Sequence, residues 1–409
     1  MNSSKKIAVI GGGAAGFFAA INCAAHYPQH QITIYEKSSK LLSKVSVSGG
    51  GRCNVTHACF DNKILSTNYP RGQKQLLSAF SRFSTNDTVK WFESRGVMLK
   101  TEKDGRLFPV SDDSQTIIDC FLHEANKLQV QVKVKSAVTG ISKASDGKIN
   151  LSFMDDQTLA VDAVLIASGG SPYEQGFNWL KDLGHEIIPP VPSLFTFNIP
   201  DNPVKRLMGV SVDHAKVKII GTNLSEDGPV LITHWGMSGP AILKLSSRAA
   251  RILAEKNYRF TIRLTWLPEL QEDELREQLN ELKRSSRKLI RVQSPFVLPK
   301  RLWEYFLQKI KISDELQWAN LSKEQLVQLI RVLLYDEYVV SGKTTFKEEF
   351  VTCGGLALNE VDFKTMESKK VKGIYFAGEI LDIDALTGGF NFQAAWTTGF
   401  IAGMAMGSM

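Results

Sequence analysis

The sequence predicts an α/β fold built on a Rossmann-type dinucleotide-binding domain that is interrupted by an inserted domain. Three observations support this prediction. A short β-branched strand runs into a glycine-rich turn near the start of the chain, a proline-rich segment changes the composition near residue 190, and strand-and-glycine patterns return after residue 350. A buried strand, a glycine turn and a helix in this order are typical of nucleotide-binding α/β domains.

The first element is a strand at Ile7–Ile10, and Gly11, Gly13 and Gly16 follow it at the spacing G-x-G-x-x-G. In this fingerprint the first glycine allows the tight turn, and the second lets the backbone approach a pyrophosphate. The third allows close packing of the helix on the strand. The positive end of that helix then faces the phosphates.

A secretion signal is the alternative interpretation of this segment, because Lys5 and Lys6 precede an apolar run that reaches Ala25. The glycines disfavour it, since each costs about 1 kcal/mol in a helix. A second strand at Gln31–Tyr35 ends in Glu36, about 20 residues after the last glycine, where a ribose-binding acid belongs. The complete βαβ context therefore favours a dinucleotide site.

Length and composition indicate two domains of an ordinary globular protein. The chain has 409 residues, of which 43% are hydrophobic and 22% charged. No apolar stretch is long enough and free enough of glycine to span a bilayer, so we expect a soluble, cytoplasmic protein without a membrane partner. The oligomeric state is not predictable from the sequence.

Cysteine spacing and charge exclude other classes of protein. The five cysteines show no C-x-x-C spacing, which disfavours a disulfide scaffold and a zinc site, so we expect no metal. The net charge is +7, yet the basic residues are dispersed apart from the stretch Lys283–Lys311. We therefore expect a small-molecule substrate rather than a nucleic-acid partner.

The order of patterns along the chain predicts a discontinuous first domain. Pro189, Pro190 and Pro192 exclude a central strand or helix and indicate a domain crossing. Short alternating strands follow, then a helical region, then strands again. The predicted limits are 1–192 for the first part of the dinucleotide-binding domain, 193–350 for the insert (a β-barrel at 193–266 and 336–350 and a helical subdomain at 267–335), and 351–409 for the second part.

Four stretches resemble a group of two-domain bacterial FAD flavoproteins, the aminoacetone oxidase-like NAD(P)/FAD-dependent oxidoreductases related to bile-acid-inducible enzymes. They are "GGGAAG" from Gly11, "SGGGRCN" from Ser48, "THWGMSGPA" from Thr233 and "YFAGEILDIDALTGGFNFQAAW" from Tyr375. The likeness covers essentially the whole chain. It implies an FAD domain of glutathione-reductase-like topology, split by a β-barrel and an all-α subdomain.

The resemblance also implies roles for matching positions. It places the glycine fingerprint at the pyrophosphate, Glu36 on the adenosine ribose and the strand at Val132–Val134 beside the adenine. Glu379 stands where a second flavin motif more often has Asp. The candidate FAD contacts are Gly11, Gly13, Ala14, Ala15, Gly16, Glu36, Lys37, Lys44, Ser48, Gly49, Gly50, Gly51, Arg52, Asn54, Val134, Ser168, Gly169, Gly378, Glu379, Gly389, Asn391 and Phe392.

Three residues are candidates for catalysis. Arg52 suits an anionic substrate group or the FAD phosphates, since its planar fork binds such groups in a bidentate way. His234, in a glycine-containing loop, is a candidate general acid or base, with a structural role as the alternative. Cys53 lies six residues before Cys59, but C-x5-C differs from the C-x4-C of disulfide reductases, so a packed or substrate-lining thiol is favoured.

The helix that starts near Phe390 follows Gly388 and Gly389, and its positive end suits the flavin locus where negative charge develops on reduction.

The sequence thus predicts an FAD-dependent oxidoreductase that moves a hydride between flavin and a small organic substrate. Amine or carbonyl oxidation with O₂ and NAD(P)H-driven reduction both stay open; without a second fingerprint, NAD(P)H is at most a transient reductant. The alternatives are a flavin-dependent tRNA-modifying or RNA-binding protein, a disulfide-reductase-like flavoenzyme and a non-catalytic FAD redox sensor.

Overall fold

The structure is a computed structural model that describes residues 4–144, 146–344 and 351–409. Its strands are β1 (Lys6–Ile10), β2 (Gln31–Tyr35), β3 (Thr56–His57), β4 (Leu99–Thr101), β5 (Arg106–Pro109), β6 (Gln131–Lys133), β7 (Val138–Lys143), β8 (Ile149–Phe153), β9 (Thr158–Val161), β10 (Ala163–Ile166), β11 (Ile187–Ser193), β12 (Thr196–Asn198), β13 (Ser211–Ile219), β14 (Ser225–Ile232), β15 (Gly236–Ser238), β16 (Arg259–Thr265), β17 (Asp336–Ser341), β18 (Lys343–Thr344), β19 (Val351–Leu356), β20 (Val361–Asp362), β21 (Glu367–Ser368) and β22 (Ile374–Phe376).

The helices alternate with these strands. They are α1 (Ala14–His26), α2 (Ser43–Gly51), α3 (Asn62–Ser66), α4 (Gln73–Phe80), α5 (Thr85–Glu93), α6 (Gln115–Lys127), α7 (Asn178–Asp182), α8 (Pro240–Arg248), α9 (Ala250–Glu255), α10 (Glu272–Ser285), α11 (Lys300–Lys309), α12 (Lys323–Leu334) and α13 (Phe390–Gly407). Short 3₁₀ helices lie at Glu174–Phe177, Pro203–Leu207, Trp318–Asn320, Leu358–Glu360 and Gly378–Ile380.

The chain forms two compact units. The first unit contains Met1–Ser193 and Phe346–Met409, and the second contains Leu194–Thr345. The last six residues of the predicted barrel segment 336–350 lie outside the described residues.

The first unit is organised around a seven-stranded sheet of order β20-β21-β22-β10-β1-β2-β6. Its five strands from β22 to β6 are parallel. β1 and β10 are continuous apolar runs because both faces of a parallel sheet are covered by helices, and Ala8 and Val164 are both fully buried. This arrangement confirms the predicted Rossmann-type α/β fold.

Small residues bring α1 and α13 into close contact in this unit. A Cβ added to Gly399 would lie 2.8 Å from the carbonyl oxygen of Ala15, and one added to Gly403 would lie 2.5 Å from that of Ala19. The apolar run of α1 therefore packs on the sheet and on the last helix of the chain. The two ends of the sequence thus contribute to one hydrophobic core.

The second unit contains a seven-stranded antiparallel sheet of order β17-β16-β13-β14-β15-β12-β18. Alternation of buried and exposed residues in β13 and β16 shows that one face of this sheet is covered. Helices α10, α11 and α12 contribute buried Leu and Trp side chains to the same core, including Trp303. The second unit therefore has its own hydrophobic core.

Two local features differ from, or add to, the sequence-based expectations. The segment expected to be a glycine-rich loop after Ser43 begins as helix α2, which is interrupted where Ser48, Gly49 and Gly50 leave helical geometry. Positive φ at Gly49 and Gly50 explains why the helix cannot continue there. Within the described residues, no helix has both the length and the apolar character needed to cross a membrane.

Candidate flavin site

The glycine turn between β1 and α1 has the geometry that a dinucleotide needs. Gly11 has φ +110°, and an added Cβ there would lie 2.4 Å from the carbonyl oxygen of Ala167. A Cβ on Gly16 would lie 2.1 Å from the carbonyl oxygen of Gly11. Both positions therefore require glycine because protein backbone fills the space.

Gly13 differs from these two glycines because a Cβ added to it would meet nothing within 4 Å. Gly13 is the N-cap of α1, and Ala14 and Ala15 form its first turn. Backbone N–H groups in a first helical turn have no partner within the helix. The open space in front of this helix end therefore fits the FAD pyrophosphate.

Glu36 lies directly after β2 and faces the glycine turn. Its Oε2 accepts a hydrogen bond from Gly12 N–H at 2.9 Å, and its Oε1 accepts one from Ser38 N–H at 2.8 Å. These two bonds hold the carboxylate beside the turn, where a ribose would bind. Lys37, the residue after Glu36, is exposed, and so is Val134, which directly follows β6.

The second flavin motif lies after β22. Gly378 has φ +75°, and a Cβ there would lie 2.9 Å from the Cβ of Ala15. Glu379 accepts a hydrogen bond from Thr352 N–H at 2.8 Å and pairs with Lys44 at 2.5 Å. Its carboxylate is therefore neutralised within the protein, which makes Lys44 and Glu379 a structural pair at this end of the sheet.

Ser168 and Gly169 continue the same edge of the sheet. They follow β10, which is the parallel neighbour of β1 and β22. The Cα of Ser168 is 3.0 Å from the position of a Cβ on Gly11. The first unit thus brings together the glycine turn, Glu36, the Gly378 turn and the end of β10 at the carboxyl ends of parallel strands, where ligands of such sheets bind.

The segment Ser48–Asn54 contacts the start of α13 through Asn54. With its amide oriented so that both groups are satisfied, Asn54 accepts from Gly389 N–H at 2.9 Å and donates to the carbonyl of Thr56 at 2.9 Å. Gly389 has φ +90°, and a Cβ there would lie 2.6 Å from the carbonyl oxygen of Thr56. Glycine is therefore required at position 389, because the backbone of Thr56 lies too close for a side chain.

Residues of the first turn of α13 are fixed by contacts inside the first unit. The side-chain oxygen of Asn391 accepts from Ala385 N–H at 3.0 Å. The ring of Phe392 stacks on that of Trp396 with centroids 5.4 Å apart. This positive helix end is thus held rigidly, as a site that stabilises developing negative charge requires.

Arg52 is held by acidic and aromatic neighbours. Its Nη1 donates to Glu102 at 2.6 Å and lies 3.4 Å from Asp112, and its guanidinium stacks over Phe108 at 4.0 Å from the ring centroid. Those contacts use the fork that would bind an anionic substrate. They favour a role for Arg52 in shaping the Ser48–Asn54 segment.

Cys53 is fully buried and has φ +60°, a conformation that non-glycine residues seldom adopt. Burial raises the pKa of its thiol to about 12. Cys59 is only partly buried, and the structure shows both as free thiols. The protonated, enclosed Cys53 is therefore a packed thiol rather than a ready nucleophile.

His234 belongs to the second unit. It follows β14 in an exposed position, and its ring centroid lies 3.9 Å from that of Trp235. Among the described residues, no cluster of three or more His, Cys, Asp or Glu side chains has a metal-binding arrangement.

Sequence reasoning missed several residues that surround the start of α13. His57 stacks on Phe390 with ring centroids 4.7 Å apart, and Tyr69 donates to the carbonyl of Phe390 at 2.7 Å. Gln393 is buried and accepts from the hydroxyls of Thr56 at 2.6 Å and Thr88 at 2.9 Å. The single signal for His57 in the sequence is its place in the polar stretch after the "SGGGRCN" motif.

A buried ion pair was also missed. Arg71 donates to both carboxylate oxygens of Asp384 through its Nε and Nη2, and the hydroxyl of Ser193 donates to Asp384 at 2.6 Å. Asp384 lies in the segment before α13, more than 300 residues from Arg71. No local pattern links residues so far apart.

Comparison with known proteins gives consistent matches over the whole chain. The family model described as HI0933-like protein Rossmann domain matches residues 5–405. The chain is 28% identical to the 3-dehydro-bile acid delta(4,6)-reductase of Clostridium scindens over 98% of both chains. It is 30% identical to the ribosomal RNA dihydrouridine synthase of Escherichia coli over 95% of both chains, and 27% identical to the Haemophilus influenzae protein of that name over 97% of both.

A solved structure supports the fold. The 3-ketosteroid-delta4-(5alpha)-dehydrogenase of Rhodococcus jostii RHA1 superimposes with a TM-score of 0.53 at 12% identity, covering 100% of this chain and 98% of that chain. At this identity the likeness concerns the fold alone. Together with the family match, it confirms the predicted resemblance and the predicted flavoenzyme architecture.

Replacing Gly13 with Val should remove FAD while leaving the protein folded. A Cβ at Gly13 meets no protein atom within 4 Å, so loss of flavin from a variant that keeps its melting temperature reports the bound pyrophosphate rather than misfolding. Flavin absorbance after purification and the melting temperature of the apoprotein are the measurements. Gly16→Ala is the contrasting variant and should lower the melting temperature, because its Cβ meets backbone at 2.1 Å. A yellow Gly13→Val protein with full FAD content would contradict the site.

The cysteines should differ in reactivity with a thiol reagent near pH 8. We expect Cys59 to react faster than Cys53 and Cys53 to react only after unfolding, because Cys59 is partly exposed whereas burial encloses Cys53 and raises its pKa to about 12. Mass spectrometry of the alkylated native protein, compared with the alkylated denatured protein, measures this. The Cys59→Ser variant is the control for labelling elsewhere. A native disulfide between the two would contradict the interpretation of Cys53 as a packed thiol.

Proposed function

Because this chain belongs to the HI0933-like family and is an FAD-dependent oxidoreductase, we propose that it saturates a carbon–carbon double bond conjugated to a carbonyl group. The single observation that carries the proposal is a chemistry common to the relatives. The names of the bile-acid reductase and of the dihydrouridine synthases both denote saturation of such a bond, in a steroid ring and in a uracil ring. Both relatives match at least 95% of this chain.

Saturation of this kind adds a hydride at the carbon β to the carbonyl and a proton at the α carbon. FAD, when bound and reduced, supplies the hydride, and NAD(P)H is the proposed source of the electrons. The protein must bind the cofactor, stabilise negative charge and deliver the proton. Gly11, Gly13 and Glu36 are the proposed cofactor ligands, and the start of α13 is the proposed site of charge stabilisation.

His234 is the proposed proton donor. It is exposed in a glycine-containing loop, and loops of this kind often carry functional residues on a rigid scaffold. Imidazole titrates near neutral pH, which suits proton transfer under ordinary conditions. His57, next to Phe390, is the histidine of the first unit against which His234 is to be compared.

We propose a uracil base in RNA as the substrate. The sequence-based expectation against a nucleic-acid partner rested on the dispersal of the basic residues along the chain. Divided by unit, Leu194–Thr345 carries 23 Lys and Arg residues against 17 Asp and Glu, a net +6, and the remaining residues carry only +1. An excess of positive charge in one unit is typical of proteins that bind a polyanion.

A steroid enone is the second candidate substrate, supported by the 28% identity to the Clostridium scindens enzyme. It offers no polyanion to the second unit, so the charge distribution favours RNA. The two substrates share one reaction and differ in the surface they need.

Anaerobic reoxidation of the reduced enzyme distinguishes these substrates. We expect unmodified ribosomal RNA transcripts to reoxidise the flavin and to acquire about one dihydrouridine per flavin. A 3-oxo-4,6-diene steroid acid should reoxidise it much more slowly. Flavin absorbance and nucleoside mass spectrometry are the measurements, with the Gly13→Val protein as the flavin-free control. Reoxidation by O₂ but by neither double-bond substrate would contradict the proposed reaction.

Replacing His234 with Gln should lower the rate of flavin reoxidation by the substrate by about 10²–10⁴-fold, the usual contribution of general acid catalysis. FAD content should stay unchanged, because the candidate FAD ligands lie in the first unit. The His57→Gln variant is the matched comparison. A His234→Gln protein with the full rate of flavin reoxidation would show that His234 is structural.

A further inference from the structure

The second unit carries a surface on which two basic segments are locked together. Arg301, in the first turn of α11, donates to the carbonyl of Arg206 at 2.8 Å and to that of Met208 at 3.4 Å. These bonds attach the start of α11 to the 3₁₀ helix Pro203–Leu207. We call the resulting surface the basic ledge; its residues are Lys205, Arg206, Met208, Val297, Lys300 and Arg301.

The ledge is rigid, because buried side chains and hydrogen bonds hold both of its segments to the core of the second unit. Val204 and Leu302 are fully buried in the core of the second unit. Asn202 caps the 3₁₀ helix by accepting from Val204 N–H at 2.9 Å, and it also receives the hydroxyl of Tyr305 at 3.3 Å. The positions of the charged residues are therefore fixed by packing and by hydrogen bonds.

The positive charge of the ledge is largely uncompensated. Within the described residues, Lys205, Arg206 and Lys300 take part in no ion pair, and the contacts of Arg301 are to carbonyl groups. Other arginines of the unit differ, since Arg263 pairs with Glu337 at 2.7 Å. Of the two acidic residues in these segments, Glu304 lies beside Arg291 at 3.5 Å, and Asp201 is exposed.

Apolar side chains are exposed among these charges. Met208 is 56% exposed, and Val297, in the turn before α11, is fully exposed. Large apolar side chains exposed beside uncompensated cations are suited to a ligand that offers both anions and flat apolar groups. A single-stranded nucleic acid offers phosphates at regular spacing together with bases and sugars.

A second basic segment packs against α11. The indole N–H of Trp303, on α11, donates to the carbonyl of Ile290 at 3.0 Å, which brings the loop after α10 against α11. Arg287 and Lys288 in that loop are exposed and, in the described part of the chain, form no ion pair. The loop that carries Arg287 and Lys288 is therefore packed against α11 and is part of the folded surface of the second unit.

We propose that the basic ledge binds the phosphate backbone of the RNA that carries the substrate uracil. This inference rests on the proposed RNA substrate and assigns the docking surface that such a substrate needs. The ledge contacts phosphates and so positions the RNA, while base recognition is left to the flavin site. Binding should therefore depend strongly on salt and weakly on RNA sequence.

The test compares two triple variants of the full-length, FAD-loaded protein. The ledge variant carries Lys205→Gln, Arg206→Gln and Lys300→Gln, and retains Arg301 because that side chain holds the backbone together. The control variant carries Lys216→Gln, Lys218→Gln and Arg259→Gln, exposed basic residues of β13 and β16 in the same unit. Each variant removes three positive charges, by replacing two lysines and one arginine.

Filter binding of unmodified ribosomal RNA transcripts over a series of salt concentrations is the measurement. The ledge variant should bind at least about 10-fold more weakly near 0.1 M salt, and its logarithmic salt dependence should be shallower by about 2, corresponding to three lost phosphate contacts. The control variant should stay within about threefold of the wild type. Equal weakening of both variants, or of neither, would overturn the ledge as the docking surface.

Failure of the ledge and failure of the RNA substrate give different results. If the ledge is wrong but the substrate is RNA, the wild type binds and reduces the transcripts and the ledge variant does so equally well. If the RNA substrate is wrong, the wild type neither binds nor reduces them, which overturns the ledge as well. Binding to phosphatidylserine vesicles without binding to RNA would also overturn it. FAD content and melting temperature verify folding, and single Lys205→Gln and Lys300→Gln variants replace a triple variant that fails this check.

Discussion

The structure depends on how closely α1 approaches the strand and turn that precede it. The position of a Cβ on Gly16, 2.1 Å from the carbonyl oxygen of Gly11, leaves no room for any side chain. This approach places the N-terminus of α1 at the carboxyl edge of the parallel sheet. Glu36 then reaches Gly12 N–H, and Gly399 lets α13 pack on the other side of α1. One steric constraint thus positions the first and the last helix of the chain.

A second layer of organisation connects the polar loops to α13. Asn54, Tyr69 and Gln393 each bond to backbone or side-chain groups around the first turn of this helix. Buried polar groups of this kind are stable only when all of them are paired, so the loops adopt one arrangement around the helix end. Arg52 contributes to this order through Glu102 and Phe108. The end of α13 is therefore built by residues that are distant in sequence.

The two units differ in net charge, and this difference connects the fold to the proposed substrate. The first unit, nearly neutral overall, contains the glycine turns that suit a dinucleotide, whereas the second carries most of the net positive charge. A cofactor site needs local, directed groups such as helix ends and one carboxylate. A polyanionic substrate needs a broad positive surface instead. This division of charge between the units supports the proposed RNA substrate, whereas the dispersal of basic residues along the chain did not suggest one.

The sequence by itself determined β1, α1, β2 and Glu36, because turn geometry, hydrophobic periodicity and a fixed ribose spacing are local properties. It also determined the family, since the four motifs are contiguous stretches. Only the tertiary structure decided that Arg52 pairs with Glu102, that Asn54 meets Gly389, and that Arg71 meets Asp384. It likewise decided that Arg301 joins two basic segments. These contacts join residues 50 or more positions apart, and their partners are selected by packing of whole elements, which leaves no periodic signal in the chain.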